Sequence, residues 1–259
     1  MNDLINKIHN ADCLEKMKEI SDKSIDMILC DLPYGVLNKN NPKAKWDTII
    51  PFEALWEQYE RIVKNNGAIV LTSQGMFTAE LMFSNKNLWR YNLIWDKVAK
   101  NGFLNANKMP LRQHEDICVF YKEMPIYNPQ MVKCPLHKRN HSKGKMEKPQ
   151  TNSCYGNFLE VPTTITDLKY PTSIISISKE HCVGNFLHPT QKPVALFEYL
   201  IKTYTNEGDL VLDNCSGSGT TAIACLGTNR KYICIEKDEV YYKKSLERVE
   251  EYNKQLKLF

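Results

Sequence analysis

The chain has 259 residues, 42% hydrophobic and 25% charged, proportions of an ordinary globular protein with room for one large domain or a domain carrying an insertion. No apolar run reaches bilayer length, and residues 1–6 (MNDLIN) lack the basic-then-apolar pattern of a signal peptide, so the expected location is the cytoplasm, away from membranes. A net charge of +4 is too small to mark a nucleic-acid binder by itself, and nine cysteines without a CxxC pair, with Cys30, Cys118 and Cys234 inside apparent strands, read as reduced core thiols.

In chain order, a short strand at about 7–10 leads to Asp12-Cys13-Leu14, where Asp12 can cap a helix with Leu14, Met17 and Ile20 on one face. The apolar run 27–30 then reads as a buried strand, ended by Asp31-Leu32-Pro33-Tyr34-Gly35 because Pro33 has no N–H for a ladder. Its carboxyl end presents a carboxylate, peptide carbonyls left over from the ladder and an aromatic ring. That set suits a planar group bearing an amine. Residues 36–48 form a long polar loop with Lys39, Lys43, Lys45 and Trp46, at the end of a strand where function usually resides. The spacing of Phe52, Leu55, Trp56, Tyr59, Ile62 and Val63 predicts a helix over 51–65, stopped by Asn65-Asn66-Gly67. A strand at 68–71, a helix to about 83, and strands at 88–95 and 116–121 follow. The alternation predicts an α/β sheet of parallel strands covered on both faces.

From 124 to 186 periodicity fails and Pro, Ser, Asn and Thr are dense, as in an insertion or a small appended recognition region. Between Lys133 and Lys148 six Lys or Arg (133, 138, 139, 143, 145, 148) and two histidines face one acid, Glu147, which reads as a solvated loop or a phosphate-contacting one. Cys134, His137, His141, Cys154, His181 and Cys182 match no closed zinc spacing, so no metal is expected. The α/β pattern resumes at Pro189, where Thr190-Gln191-Lys192-Pro193 opens a helix with Val194, Phe197, Leu200, Ile201 and Tyr204 on one side. A buried strand at 210–212 runs into Asp213-Asn214-Cys215-Ser216-Gly217-Ser218-Gly219-Thr220-Thr221, a glycine loop that lets backbone approach a ligand and then starts a helix of small residues. Glu236 ends the next strand, where an α/β nucleotide site places a carboxylate on ribose hydroxyls, and a terminal helix starts near Asp238. If the Asp31 and Asp213 strands are neighbours, their two loops open into one cleft.

Asp31-Leu32-Pro33-Tyr34 resembles the D/N/S-P-P-Y motif of the S-adenosylmethionine-dependent DNA amino-methyltransferases, with Leu32 in place of the first proline, and Asp213 to Thr221 is similar to their cofactor loop. Asn10-Ala11-Asp12-Cys13-Leu14 and His188-Pro189-Thr190-Gln191-Lys192-Pro193 extend the likeness, and a catalytic motif preceding the cofactor loop is the order of the circularly permuted β subgroup. The resemblance implies a Rossmann-like class I methyltransferase sheet, circularly permuted, with residues 1–123 and 187–259 as catalytic domain; the stretch 124–186, which the likeness does not cover, is expected from its own pattern to be an inserted target-recognition region. It implies methyl transfer from S-adenosyl-L-methionine to an exocyclic amine of double-stranded DNA. Asp at the head of the motif favours adenine N6. Cytosine N4, an RNA substrate and a non-catalytic DNA-binding protein that keeps the fold are the alternatives.

Carried onto this sequence, the resemblance sets Asp213, Cys215, Gly217, Gly219 and Thr220 around the methionine part of the cofactor, with Glu236 on its ribose. Asp12 and Cys13 border its adenine, and Thr190 and Lys192 lie near its carboxylate, with Asp31 between cofactor and base. Asp31 and the Leu32 carbonyl accept the amine hydrogens, and Pro33 shapes the turn from which Tyr34 stacks on a base flipped out of the duplex. From their charge rather than from the likeness, Lys39, Lys43, Lys45, Lys138, Arg139 and Lys143 are expected to contact DNA. A homodimer and a cognate restriction enzyme are the further partners that the resemblance admits. The plainer readings are Asp12 as a helix cap alone, Lys192 as a solvated first-turn lysine, and His114 and Glu115 as structural residues.

Overall fold

The computed structural model describes residues 1–38, 44, 46–134, 167–179 and 191–256. In chain order the elements are β1 (Lys7–Asn10), α1 (Cys13–Met17), β2 (Ile25–Asp31), α2 (Phe52–Ile62), β3 (Val63–Ser73), α3 (Met76–Ser84), β4 (Trp89–Asn101), β5 (Arg112–Phe120), β6 (Val132–Lys133), β7 (Leu168–Lys169), β8 (Ile174–Ser176), α4 (Val194–Tyr204), β9 (Leu210–Asp213), α5 (Thr220–Gly227), β10 (Lys231–Glu236) and α6 (Glu239–Leu256).

The chain divides into two compact units, Met1–Asn128 with Thr172–Phe259, and Pro129–Pro171. In the second unit β6 and β7 pair antiparallel, Val132 opposite Lys169, and the Cys134 N–H donates to Asp167 O at 2.8 Å. The first unit is built on an eight-stranded sheet of order β1-β10-β9-β2-β3-β5-β4-β8. β8, although it falls in the stretch expected to be inserted, is a strand of this sheet, parallel to β4 with Ile94 opposite Ile174.

The sheet is mixed where parallel strands were expected, because β5 runs antiparallel to both β3 and β4. A parallel neighbour needs a crossover of a dozen or more residues, usually a helix. Between β4 and β5 the chain offers a single 3-10 turn at Phe103–Asn105, enough for a hairpin and too little for a crossover.

Side chains of the buried strands alternate between the two faces. Ile28, Cys30, Ile69 and Leu71 meet Leu55, Trp56, Tyr59 and Ile62 of α2 on one face. Met27, Leu29, Val70 and Val211 meet Leu196, Phe197, Leu200 and Ile201 of α4 and Ala222, Ala224 and Cys225 of α5 on the other. The anticipated helix over 51–65 stops at Ile62, and its last residues pass straight into β3. Residues 64–67 bulge there, with Ile25 opposite Val63 but Met27 opposite Ala68. A Cβ on Gly67 would stand 2.6 Å from Val63 Cγ2 and 2.8 Å from Asp26 O, so the glycine serves close packing inside this bulge.

β2 pairs parallel with β9, Ile28 opposite Leu212. From this pair the chain leaves in opposite directions, β2 by way of α2 to β3 and β9 by way of α5 to β10. Such a reversal leaves a crevice at the carboxyl ends of the strands. Asp31 and Asp213 are the last residues of the two strands that flank it.

Candidate active site

The Asp31 carboxylate stands at the centre of the crevice with its oxygens unequally used. Oδ1 accepts the Tyr34 hydroxyl at 2.8 Å and the Thr72 hydroxyl, which fills both of its lone pairs. Oδ2 accepts the Lys192 ammonium at 2.6 Å and, among the described residues, retains one lone pair. Leu32, the departure from the motif, packs its side chain into the core at 4% exposure. Among the described residues no group donates to the Leu32 carbonyl.

Tyr34 is fixed from several sides. Its ring stacks on Phe77 with centroids 4.9 Å apart, and the Lys192 ammonium lies 5.6 Å from its centroid. Burial, then the charges of Asp31 and Glu115, hold the phenol far above its ordinary range, so it stays a donor. Lys192 is 6% exposed, not the solvated lysine of the plainer reading. Burial alone would strip its proton, but Asp31 and Glu115 together outweigh that and keep the ammonium charged.

The exit of the motif is clipped by Asp47, which is 3% exposed. Its Oδ1 accepts the Gly35 N–H at 3.0 Å, and its Oδ2 accepts those of Val36 and Leu37 at 2.8 and 2.6 Å. Three successive amides turned onto one carboxylate form an anion-binding nest, here used to tie the two sides of a loop together. Gly35 has φ +67°, a conformation that other residues adopt at a cost.

Across the crevice the glycine loop is organised by carboxylates of a different kind. Asp213 Oδ1 accepts the Cys215 N–H at 3.0 Å and Oδ2 accepts the Thr221 hydroxyl. Burial pushes Asp213 up to about 7, against the pull of Thr221, Cys215 and Cys30. Glu236 accepts the Gly217 N–H at 2.7 Å and the Asp238 N–H at 2.8 Å, one on each oxygen, and burial raises it as well. Asp12 is the N-cap of α1, accepting from Leu14 and Glu15, and its second oxygen meets Lys237 at 3.0 Å. The cap and the cleft readings of Asp12 are therefore compatible.

These groups line one cleft of about 1060 Å³. Asp31, Leu32, Pro33 and Tyr34 form one wall, and Asp12, Cys13, Asp213, Cys215, Gly217, Thr220 and Glu236 form the other, with Lys192 between them. Gly219 is not part of the lining. It caps α5 at φ +77°, where a Cβ would come within 3.1 Å of Ser245, so its absence of side chain serves helix packing. Thr190 and the six cations Lys39, Lys43, Lys45, Lys138, Arg139 and Lys143 lie outside the described residues, as do all the zinc candidates except Cys134. No group of His, Cys, Asp or Glu among the described residues could hold a metal. Cys30 is fully buried with its thiol pushed up to about 12 and belongs to the core.

The family model described as DNA methylase matches residues 25–247. This chain belongs to the DNA methylase family. It is an S-adenosylmethionine-dependent DNA amino-methyltransferase of the adenine-N6 or cytosine-N4 type. Among its relatives, the type II methyltransferase M2.MboI of Moraxella bovis is 29% identical over 270 residues, 96% of this chain and 89% of that protein. The DNA adenine methyltransferase YhdJ of Escherichia coli (strain K12) is 24% identical over 250 residues, 94% of this chain and 82% of the other. The solved M1.HpyAVI–SAM complex shares the fold with a TM-score of 0.63 at 23% identity, covering 94% and 98% of the two chains.

The cleft of this methyltransferase fits its cofactor on grounds internal to the chain. Ser216 Oγ is buried in the lining and has no hydrogen-bond partner among the described residues. A buried hydroxyl left unpaired costs about 1–3 kcal/mol, which a polar ligand would relieve. Asp12, Asp213, Glu236 and Asp238 give that half of the cleft an acidic lining, suited to a ligand bearing cationic centres.

Several residues of the site carry no sequence signal as a group. Thr72, Asp47, Phe77, Lys97, Glu115 and Lys179 meet the motif only through the fold. Lys97 alone had a faint signal, since it follows Tyr91, Leu93 and Trp95 at alternate positions of β4.

Proposed function

We propose that this methyltransferase acts on N6 of adenine in duplex DNA. The observation that carries the reading is the remaining lone pair of Asp31 Oδ2, beside the undonated carbonyl of Leu32, at the join between the two halves of the cleft. An exocyclic amine of a base is a poor nucleophile because its lone pair is conjugated with the ring. Two acceptors for its two N–H hydrogens favour a tetrahedral nitrogen with a localised lone pair. S-adenosylmethionine supplies an electrophilic methyl group on a sulfonium. Asp213, Glu236 and Ser216 hold the donor, Asp31 and Leu32 orient the amine, and Tyr34 offers its ring to the base. One face of that ring is covered by Phe77, and the Lys192 ammonium lies over the ring at 5.6 Å from its centroid. The surplus proton of the methylated nitrogen passes along its hydrogen bond to the Asp31 carboxylate and from there to solvent, while the Leu32 carbonyl only orients the amine.

Asp at the head of the motif supports adenine, because a full charge is a stronger acceptor than a hydroxyl. Duplex contact has support from the hairpin joining β4 to β5, at the same sheet edge as the cleft. Lys100, Phe103, Leu104, Lys108 and Arg112 are all exposed there, and residues 97–114 contain no acid. Cations on such a surface neutralise phosphates and make binding weaken with salt. Incubating the purified protein with duplex DNA and methyl-labelled cofactor, then separating the nucleosides, tests the reading. N6-methyladenine is the expected product. N4-methylcytosine alone refutes the choice of base, and no incorporation into DNA refutes the activity.

A further inference from the structure

One buried ion pair takes no part in the transfer described above. Lys97 on β4 and Glu115 on β5 are diagonal neighbours in an antiparallel ladder in which Trp95 stands opposite Glu115. Lys97 shares the inward face of Trp95, since alternate side chains of a strand point the same way. It is 2% exposed, and its ammonium lies 3.1 Å from Glu115 Oε1. Glu115 Oε2 lies 3.4 Å from the Lys192 ammonium without hydrogen-bond geometry, and it is a buried oxygen with no hydrogen-bond partner among the described residues. Lys192 in turn holds Asp31 at 2.6 Å. Four charges thus alternate in sign from β4 to the end of β2, and they sum to zero.

Stability alone does not call for such a chain. Desolvation of a buried ion pair offsets most of its attraction, and an apolar pair would serve the fold about as well. What an apolar pair could not do is divide the charge of Lys192. With Glu115 present, the ammonium is shared between two carboxylates. Without it, Lys192 would belong to Asp31 alone and draw electron density from the one lone pair left for the amine. We propose that Lys97 and Glu115 are positioning residues for methyl transfer, which set through Lys192 how strongly Asp31 accepts the target amine. The inference rests on the methyl-transfer reading above. The groups that face Asp31 are the Tyr34 hydroxyl from its own loop, Thr72 from β3, Lys97 from β4, Glu115 from β5 and Lys192 ahead of α4. Half-buried Lys179 after β8, its proton loosened by burial and then by the charge of Lys97, and Asp213 of β9, which the charge of Asp31 raises further, also face it among the described residues.

The test follows single-turnover methyl transfer against pH in Glu115→Gln, Lys97→Met and the double variant, with cofactor affinity and thermal melting measured alongside. Glu115→Gln leaves two buried cations to one carboxylate. It should slow transfer about tenfold and move the acidic limb of the profile down by about one pH unit. Lys97→Met removes a positive charge and should move the limb the opposite way by a similar amount, about one unit. The double variant restores neutrality and should recover both rate and limb. Limbs that move together in the two single variants, or losses that simply multiply in the double, overturn the proposal. If Glu115→Gln does not fold, Lys97→Met should still raise the limb and the double variant return it to the wild-type position; a limb that Lys97→Met leaves unmoved, or that the double variant does not return, overturns the proposal. An active wild type matched by Glu115→Gln at every pH removes this proposal alone, whereas a wild type that methylates no DNA removes the methyl-transfer reading and the proposal with it.

Discussion

Asp31 and Asp213 end two neighbouring parallel strands, yet their surroundings differ in kind. Asp31 is tied to a buried ammonium at 2.6 Å. The donors that bond Asp213 are the neutral Thr221 hydroxyl and the Cys215 amide, and its proton is released only near 7. Position on the sheet brings both carboxyl groups to the crevice. Their neighbours then make one the partner of a buried ammonium and leave the other among neutral donors, where burial raises its hold on a proton. Residue type and strand position together do not assign a role.

The sharpest way to break this contrast is Asp31→Asn, which keeps the shape and removes the charge. Methyl transfer should fall on the order of 10³-fold, while cofactor affinity, measured by calorimetry, changes little. Lys192→Met attacks the same side from the cation. It leaves Asp31 and Glu115 with Lys97 as their one buried cation among the described residues and should lower stability by about 3–5 kcal/mol in urea unfolding, besides slowing transfer.

Asp213 should make stability and cofactor binding depend on pH. Its value in the folded protein, about 7, lies above its ordinary value of 3.8, so the folded state binds more protons between the two. The stability it contributes is therefore greatest at acid pH, is lost as pH rises towards 7, and is level above that. Asp213→Asn should abolish this slope. A cationic cofactor favours the ionised form, so wild-type binding should tighten up to about tenfold per pH unit on approaching 7 from below, and Asp213→Asn should flatten that dependence. A pH-independent affinity in the wild type would show the two aspartates to be alike after all. The smallest effect is expected from Tyr34→Phe, which keeps the ring and frees one lone pair of Asp31 Oδ1. Transfer should fall about tenfold or less, by the worth of one hydrogen bond of about 1 kcal/mol.

Local features were legible in the sequence. The helix cap at Asp12, the apolar faces of α2 and α4, and the two motif-bearing strands depend on residues a few positions apart, and periodicity reports those directly. Partners far apart in sequence were not. Lys192 reads as a solvated first-turn lysine because Asp31 is 161 positions away, and Glu115 reads as merely structural for the same reason. The antiparallel course of β5 escaped because strand direction depends on the length and content of a connection rather than on the strand itself. Gly219 was assigned to the cofactor through its motif, whereas the tight contact it permits is with Ser245.

The Asp47 clip has a consequence for how such a protein can diversify. Because the stem of the loop is closed by three amides on one carboxylate, the catalytic turn is mechanically insulated from whatever is spliced in between residues 38 and 46. Lengthening or exchanging that stretch should therefore leave the geometry of the Asp31 turn as it was.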